Sequence, residues 1–252
     1  MVSIKTPREM ALMSEAGRIV ATVLSWISDE IAPGVSTEHL DRGARAIIEE
    51  HGGTPEFLGY RGYPAAICAS INEEVVHGIP SAERILEEGD IIGVDVGVRY
   101  KNYIGDSART FAVGAVDETS QKLLEATEKS LGAAIDLIRP GIKLIEVSRA
   151  IEDVARRYGF SVVQEYAGHG LGSEMHEDPQ VLNYEDPDGR FNDLVLESGM
   201  TLAIEPMLNV GTWRTEVLGD GWTVVTRDRK RSAHFEHSMG VTDDGVLVLT
   251  EW

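Results

Sequence analysis

The chain carries one pattern twice. Ile31 begins IAPGVSTEHLDRGARAIIEEHG, and 107 residues later Ile138 begins IRPGIKLIEVSRAIEDVARRYG. The two align without a gap. Ile31, Pro33, Gly34, Arg42 and Gly52 match Ile138, Pro140, Gly141, Arg149 and Gly159, and Val35 and Leu40 meet Ile142 and Val147. Pro-Gly is a common stop signal, so two unrelated helix pairs would explain part of the match. Duplication also explains the order helix, stop, helix, stop, strands, which recurs in both halves. It predicts an α+β fold of one domain over 1–252, with duplicated halves of about 7–117 and 118–252. The halves should be related by a pseudo-twofold axis, with helices outside a central antiparallel sheet. A site belongs where they meet.

The local signals agree. Thr6-Pro7-Arg8-Glu9 reads as a capping box with proline in the first turn. Met10, Met13, Ile19, Val20, Val23, Leu24 and Ile27 then follow helical spacing until Pro33-Gly34. A second helix is expected over 37–50, and two more over 118–138 and 144–158. Strands are expected at 65–71, 75–80, 161–164, 201–208, 221–226 and 233–241.

Between the halves' helices lies IIGVDVGVRYKNYIGDSARTF, residues 91–111, read as a hairpin turning near Tyr100 and Lys101. In that register paired residue numbers add to 201, which sets Asp95 opposite Asp106. Opposed side chains lie about 5 Å apart at Cβ on one face. Two carboxylates so placed repel, share a proton or hold a cation. Gly93 and Gly97 flank Asp95 on that face and leave room for one.

The second half offers further donors. His169 sits in Gly168-His169-Gly170-Leu171-Gly172, and small neighbours admit a close ligand. Glu205 lies in an apolar stretch, as does Glu236 between His234 and His237. Alone, such an acid reads equally well as an edge charge, and such a histidine as a turn residue. His234 and His237 read as structural or supporting residues, and His39 and His51 as solvated helix residues. As a set, Asp95, Asp106, Glu205, Glu236 and His169 are four carboxylates and one imidazole, a donor set suited to Mn, Fe, Co or Zn. Four acids need roughly two divalent ions to neutralise them, and ions about 3.5–4 Å apart activate a bridging water for hydrolysis.

Charge and composition narrow the alternatives. The net charge of −19 opposes broad attraction to nucleic acid or anionic lipid. Cys68 is the single cysteine, so no internal disulfide forms and a reducing, cytoplasmic location is expected. No apolar run approaches a membrane span, and the start shows no secretory signal. The run Arg227-Asp228-Arg229-Lys230-Arg231 reads as a solvated turn ahead of a phosphate-binding loop.

The stretches INEEVVHGIP, IIGVDVGVRYKNYIGDSARTF, YAGHGLG, MHEDPQVLNY, LAIEPM and SAHFEHS closely resemble type I methionine aminopeptidases, over essentially the whole chain. The resemblance implies the duplicated pita-bread (creatinase/aminopeptidase) fold and removal of N-terminal methionine from nascent proteins whose second residue is small. By it, Asp95 chelates one metal, Asp106 and Glu236 bridge two, and His169 and Glu205 complete the other. Glu205 also helps deprotonate water. His77 and His176 contact substrate, His176 stabilising the oxyanion and His77 lying near the amine or scissile amide. The methionine pocket maps onto Phe57, Tyr60, Tyr63, Cys68, Met175 and Trp222. Phe57 stands where many bacterial members have cysteine and Met175 where several have phenylalanine, which puts pocket shape in doubt. Asn72, Glu74 and Ser232 correspond to a monovalent-cation site formed through backbone carbonyls. The family is commonly monomeric, and the ribosome is a candidate partner; no membrane or specific nucleic acid is implied.

Two other readings use the same fold. An X-Pro peptidase shares the metal set but usually carries a further N-terminal domain. A non-catalytic peptide- or ribosome-binding module would have lost metal ligands, and all five are present here.

Overall fold

The computed structural model describes residues 2–186 and 194–252. Its first helix, α1 (Pro7–Glu30), starts as its sequence dictates. Glu9 N–H donates to Thr6 Oγ1 at 3.3 Å, and Thr6 N–H donates back to the Glu9 carboxylate at 2.7 Å. α2 (Thr37–Glu50) is capped by Ser36. By length and composition α1 is apolar enough to cross a membrane, contrary to expectation. Its periodicity explains why it is a core helix. Met13, Val20, Val23 and Ile27 are fully buried on one face, while Arg18, Thr22, Ser25 and Asp29 form an exposed stripe on the other. Leu40, Ala44 and Ile48 of α2 join Val20, Val23 and Ile27 in one core against the hairpin. Each large apolar side chain buried there contributes roughly 1.5–3 kcal/mol.

Gly17, in mid-helix, costs about 1 kcal/mol relative to alanine. Close approach explains its presence. A Cβ on Gly17 would stand 1.9 Å from Leu249 O, and one on Gly105 would stand 2.6 Å from Gly17 N. The helix thus lies directly on both the hairpin and the 249–252 segment.

The hairpin consists of Ile91–Tyr100 and Tyr103–Ala112. Its turn falls one residue later than expected. Lys101 and Asn102 both have positive φ, 47° and 70°, as a two-residue type I′ loop requires. Tyr100 therefore pairs with Tyr103, Gly97 with Asp106, and Asp95 with Ala108. The expected direct opposition of Asp95 and Asp106 is corrected to a diagonal one, still on one face. Along its other edge the Ile91–Tyr100 strand pairs with Cys68–Ile71 and Thr54–Pro55.

The second half repeats the helix pair as α3 (Glu118–Ile135) and α4 (Leu144–Tyr158). α3 stops three residues short of expectation. The duplication is visible in hydrogen bonds. Gly34 N–H donates to Leu86 O at 2.7 Å and Leu86 N–H to Val35 O at 2.8 Å; Gly141 N–H donates to Leu196 O at 2.9 Å and Leu196 N–H to Ile142 O at 2.8 Å. Gly34 and Gly141 share positive φ values of 93° and 90°. A five-stranded sheet packs against α3 and α4, in the order Gly245–Val248, His237–Thr242, Thr201–Ile204, Gly168–Gly170, Glu177–Val181. Two three-stranded sheets complete the strands among the described residues: Ser232–His234, Met207–Asn209, Ser161–Val162, and Thr215–Val217, Val224–Thr226, Glu74–Val76. Every pairing is antiparallel. The centre is thus four small sheets rather than one ladder.

The basic run at 227–231 is held by local partners. Arg229 pairs with Glu216, and Arg231 with Asp117 at 3.0 Å and with Gly89 O at 2.8 Å.

Candidate active site

The expected acidic strands 201–208 and 233–241 are each broken at the acid. Thr201–Ile204 gives way to Met207–Asn209 across Glu205-Pro206, and Ser232–His234 to His237–Thr242 across Phe235-Glu236. Proline has no N–H to continue a ladder. The two crossings run side by side, with Ile204 facing His237, Met207 facing His234, and Phe235 N–H donating to Pro206 O at 3.3 Å. Both acids therefore project from gaps between sheets, where a ligand can reach them.

The first-half hairpin is locked onto this segment by hydrogen bonds that run from side chain to main chain and from main chain to main chain. Asp106 N–H donates to Ser238 Oγ at 3.0 Å, and that hydroxyl donates to Asp106 O at 2.7 Å. Glu236 N–H donates to Ala108 O at 2.8 Å, and Thr110 Oγ1 to His234 O at 2.7 Å. Ser107 Oγ donates to Glu236 O.

The locks gather the five donors. Ligand atoms of Asp106, His169 and Glu236 lie within 4.8 Å of one another. His169 Nε2 is 3.7 Å from Asp106 and 3.6 Å from Glu205. Asp106 interacts directly with both Asp95 and Glu236. Burial raises all four acids. Asp95 is pushed up to about 7, and Asp106, Glu205 and Glu236 well above the usual carboxylate range, with repulsion among neighbours adding to burial. His169 is lowered to about 4, chiefly by burial, and so stays neutral. Its Nδ1 lies 2.9 Å from Gly170 O, a bond that sets the proton on Nδ1 and leaves the Nε2 lone pair toward the acids.

These residues fit a divalent metal. Asp95 Oδ1, Asp106 Oδ1, Glu236 Oε1 and His234 Nε2 are buried without a hydrogen-bond partner. Buried carboxylate oxygens facing one another without a donor are costly, and a cation removes that cost. His234, read from sequence as structural or supporting, stands 3.8 Å from Glu205 and 4.0 Å from Glu236. In sequence it stands two residues from Glu236, a spacing that would share a face in an unbroken strand and so could have signalled it. His237 points away, to Thr250 at 3.0 Å.

A pocket opens onto the cluster. Every expected substrate residue lines it: Phe57, Tyr60, Tyr63, Cys68, His77, Met175, His176 and Trp222. Its wall also includes Arg61, which sequence reasoning missed; its positive φ of 47° aims it from a tight turn. The His169 and His176 rings lie 4.3 Å apart, and Tyr60 OH is 2.9 Å from His176 Nδ1. His77 and His176 are both lowered, mainly by burial, His77 to about 4. Cys68 faces Asp95 across the strand pair, and burial holds its thiol protonated. Gly97 lies beneath Phe57, whose ring would stand 2.6 Å from a Cβ there.

Asn72, Glu74 and Ser232 lie outside the pocket. Ser232 N–H donates to Asn72 O at 2.9 Å, the Asn72 side chain bonds Asp90 at 2.7 Å, and the Glu74 carboxylate pairs with Arg84.

Comparison with known proteins fits this geometry. Residues 11–243 match metallopeptidase family M24. Methionine aminopeptidase 1 of Bacillus subtilis is 46% identical over 250 residues, 99% of each chain. The structure of methionine aminopeptidase from Thermotoga maritima superposes with a TM-score of 0.96 at 45% identity, each chain covered completely. A prolidase from Pyrococcus furiosus shares the fold at 22% identity, with a TM-score of 0.75 over 99% of this chain and 65% of that one. The architecture is the pita-bread fold, and the chain belongs to metallopeptidase family M24.

Proposed function

We propose that this protein is a methionine aminopeptidase, releasing N-terminal methionine from peptides whose second residue is small. One observation carries the reading: an apolar, largely aromatic pocket ends on a cluster of four acids and an imidazole. Phe57, Tyr63, Cys68, Met175 and Trp222 supply a slot suited to an unbranched thioether. Full-length similarity to methionine aminopeptidases supports the assignment.

Asp95, Asp106, His169, Glu205 and Glu236 would hold two divalent ions, from among Mn, Fe, Co and Zn. When bound, such ions supply Lewis-acid polarisation of the scissile carbonyl and a lowered pKa for water. The chain's own groups do the rest. Glu205 accepts the proton of the attacking water. Tyr60 donates its hydroxyl hydrogen to His176 Nδ1, which keeps a proton on Nε2 for the oxyanion. His77, also in the pocket wall, contacts the substrate near its amine or scissile amide. Backbone carbonyls of Asn72, Glu74 and Ser232 would hold a monovalent cation behind the pocket. The two halves, about 7–117 and 118–252, act as one catalytic unit. It would act as a monomer on nascent chains near the ribosome, and the free, buried Cys68 fits a reducing cytoplasm.

The test is a peptide panel with defined metals added to metal-free protein. Met-Ala-Ser should be cleaved well before Met-Leu-Ser and Ala-Pro. Preferential cleavage of Ala-Pro would replace this reading with an X-Pro peptidase.

A further inference from the structure

His77 has an uncommon backbone. Its φ is +61°, in the left-handed region that residues other than glycine rarely adopt. The strain has a visible result. The chain leaves the Glu74–Val76 strand and turns sharply, which delivers the ring into the pocket edge-on to Tyr166 at 5.8 Å and Trp222 at 6.2 Å. Such a conformation persists only where neighbouring structure overdetermines it.

The neighbouring structure centres on Arg84, a residue outside the pocket. Its Nη1 donates to Ile79 O at 2.9 Å, two residues after His77, and to Ala69 O at 3.1 Å on the adjacent strand. Its Nη2 pairs with Glu74, three residues before His77. The same Glu74 oxygen accepts from Ile71 N–H at 2.7 Å. One guanidinium thus grips the chain on both sides of the strained residue and ties both to the Cys68–Ile71 strand. Its planar fork serves three acceptors at once, which an ammonium group cannot reproduce. Between these grips Gly78 is fixed as well, with Ala69 N–H donating to its carbonyl at 2.8 Å and its N–H donating to Ser70 Oγ at 3.1 Å.

We propose that Arg84 is a positioning residue for the active site: through Glu74 and the Ile79 carbonyl it holds His77 in the backbone that aims its ring into the pocket. The consequence for turnover rests on the reading that His77 contacts substrate. Without the clamp, His77 relaxes toward an ordinary extended backbone and the ring leaves the pocket.

The experiment compares wild type, Arg84→Met, His77→Ala and the double variant on Met-Ala-Ser, with metal loaded, alongside NMR of the histidine ring nitrogens. Arg84→Met should lower kcat/KM by tenfold or more, and the double variant should be no worse than His77→Ala alone. In Arg84→Met the His77 ring signals should move while those of exposed His39 and His51 stay in place. Arg84→Lys, which keeps the charge but not the fork, should fall between, and it carries the same readouts if Arg84→Met does not fold. Losses that multiply in the double variant, or an unmoved His77 signal, overturn the proposal. Full activity in His77→Ala would instead overturn the substrate role of His77, while the NMR shift still decides the positioning.

Discussion

Gly97 lies beneath Phe57 in the pocket wall, and the ring fills the space that a side chain at 97 would need. Gly97 also stands directly across the hairpin from Asp106. One missing Cβ therefore serves the apolar slot on one side and leaves the acidic floor uncrowded on the other.

Gly97→Ala should push Phe57 into the slot. Overpacking costs about 1–3 kcal/mol, so KM for a methionyl peptide should rise on the order of tenfold, since 1.4 kcal/mol is one decade. Combining it with Phe57→Leu should recover most of the loss. Steady-state kinetics on the two variants decide this; an unchanged KM in Gly97→Ala would show that Phe57 does not define the slot.

Asp106→Asn should abolish turnover and weaken metal binding. Asp106 lies nearest the centre of the cluster, close to Asp95, Glu236 and His169. Titration calorimetry with Mn2+ beside a peptide assay checks both effects. Wild-type activity in this variant would sink the two-metal scheme.

His176→Ala should lower kcat by about 10²–10³, the cost of losing one oxyanion donor, with metal content unchanged. Tyr60→Phe should act in the same direction but more weakly, because it removes only the bond that orients His176. Metal analysis of the purified variants separates this role from ligation: equal loss of metal and of turnover would make His176 a ligand.

Stability should depend on pH in opposite ways with and without metal. Burial raises Asp95 to about 7, and Asp106, Glu205 and Glu236 are raised as well. The folded, metal-free chain therefore keeps protons that the unfolded chain releases above about pH 4. The contribution of Asp95 is full below that value and is lost as pH rises through about 7, and the other three act in the same direction. Metal replaces those protons, so the rise in Tm on adding Mn2+ should be larger at pH 8 than at pH 5.5. Asp95→Asn should raise the Tm of metal-free protein at pH 8 and blunt its response to Mn2+. Equal shifts at both pH values would overturn this account.

Much of the fold was legible because its signals are local. The Thr6 capping box, the helical spacing through Ile27 and the recurring Pro-Gly stops all act within a few residues. The four acids stand out in the sequence because they lie in apolar strands, and His169 because it lies among glycines; the resemblance supplied the pocket residues. What escaped depends on geometry at a distance. The hairpin register turned on whether Lys101 and Asn102 would both accept positive φ, and a one-residue shift of the turn moved Asp95 from Asp106 to Ala108. The strand breaks at Glu205 and Glu236 arise because two neighbouring strands change sheets together, which neither sequence segment records alone. Arg61 and Arg84 carry no local signal in the sequence; the turn and the clamp place them.

The bonds that join Asp106 to Ser238 and Thr110 to His234 span 132 and 124 residues of chain. Contacts so distant in sequence form late and make folding slow. During synthesis the first-half acids must wait, facing one another, until the 234–238 segment has emerged. A nascent copy should therefore be inert toward its neighbours' N-termini, and two fragments cut between the halves should regain activity only by finding each other.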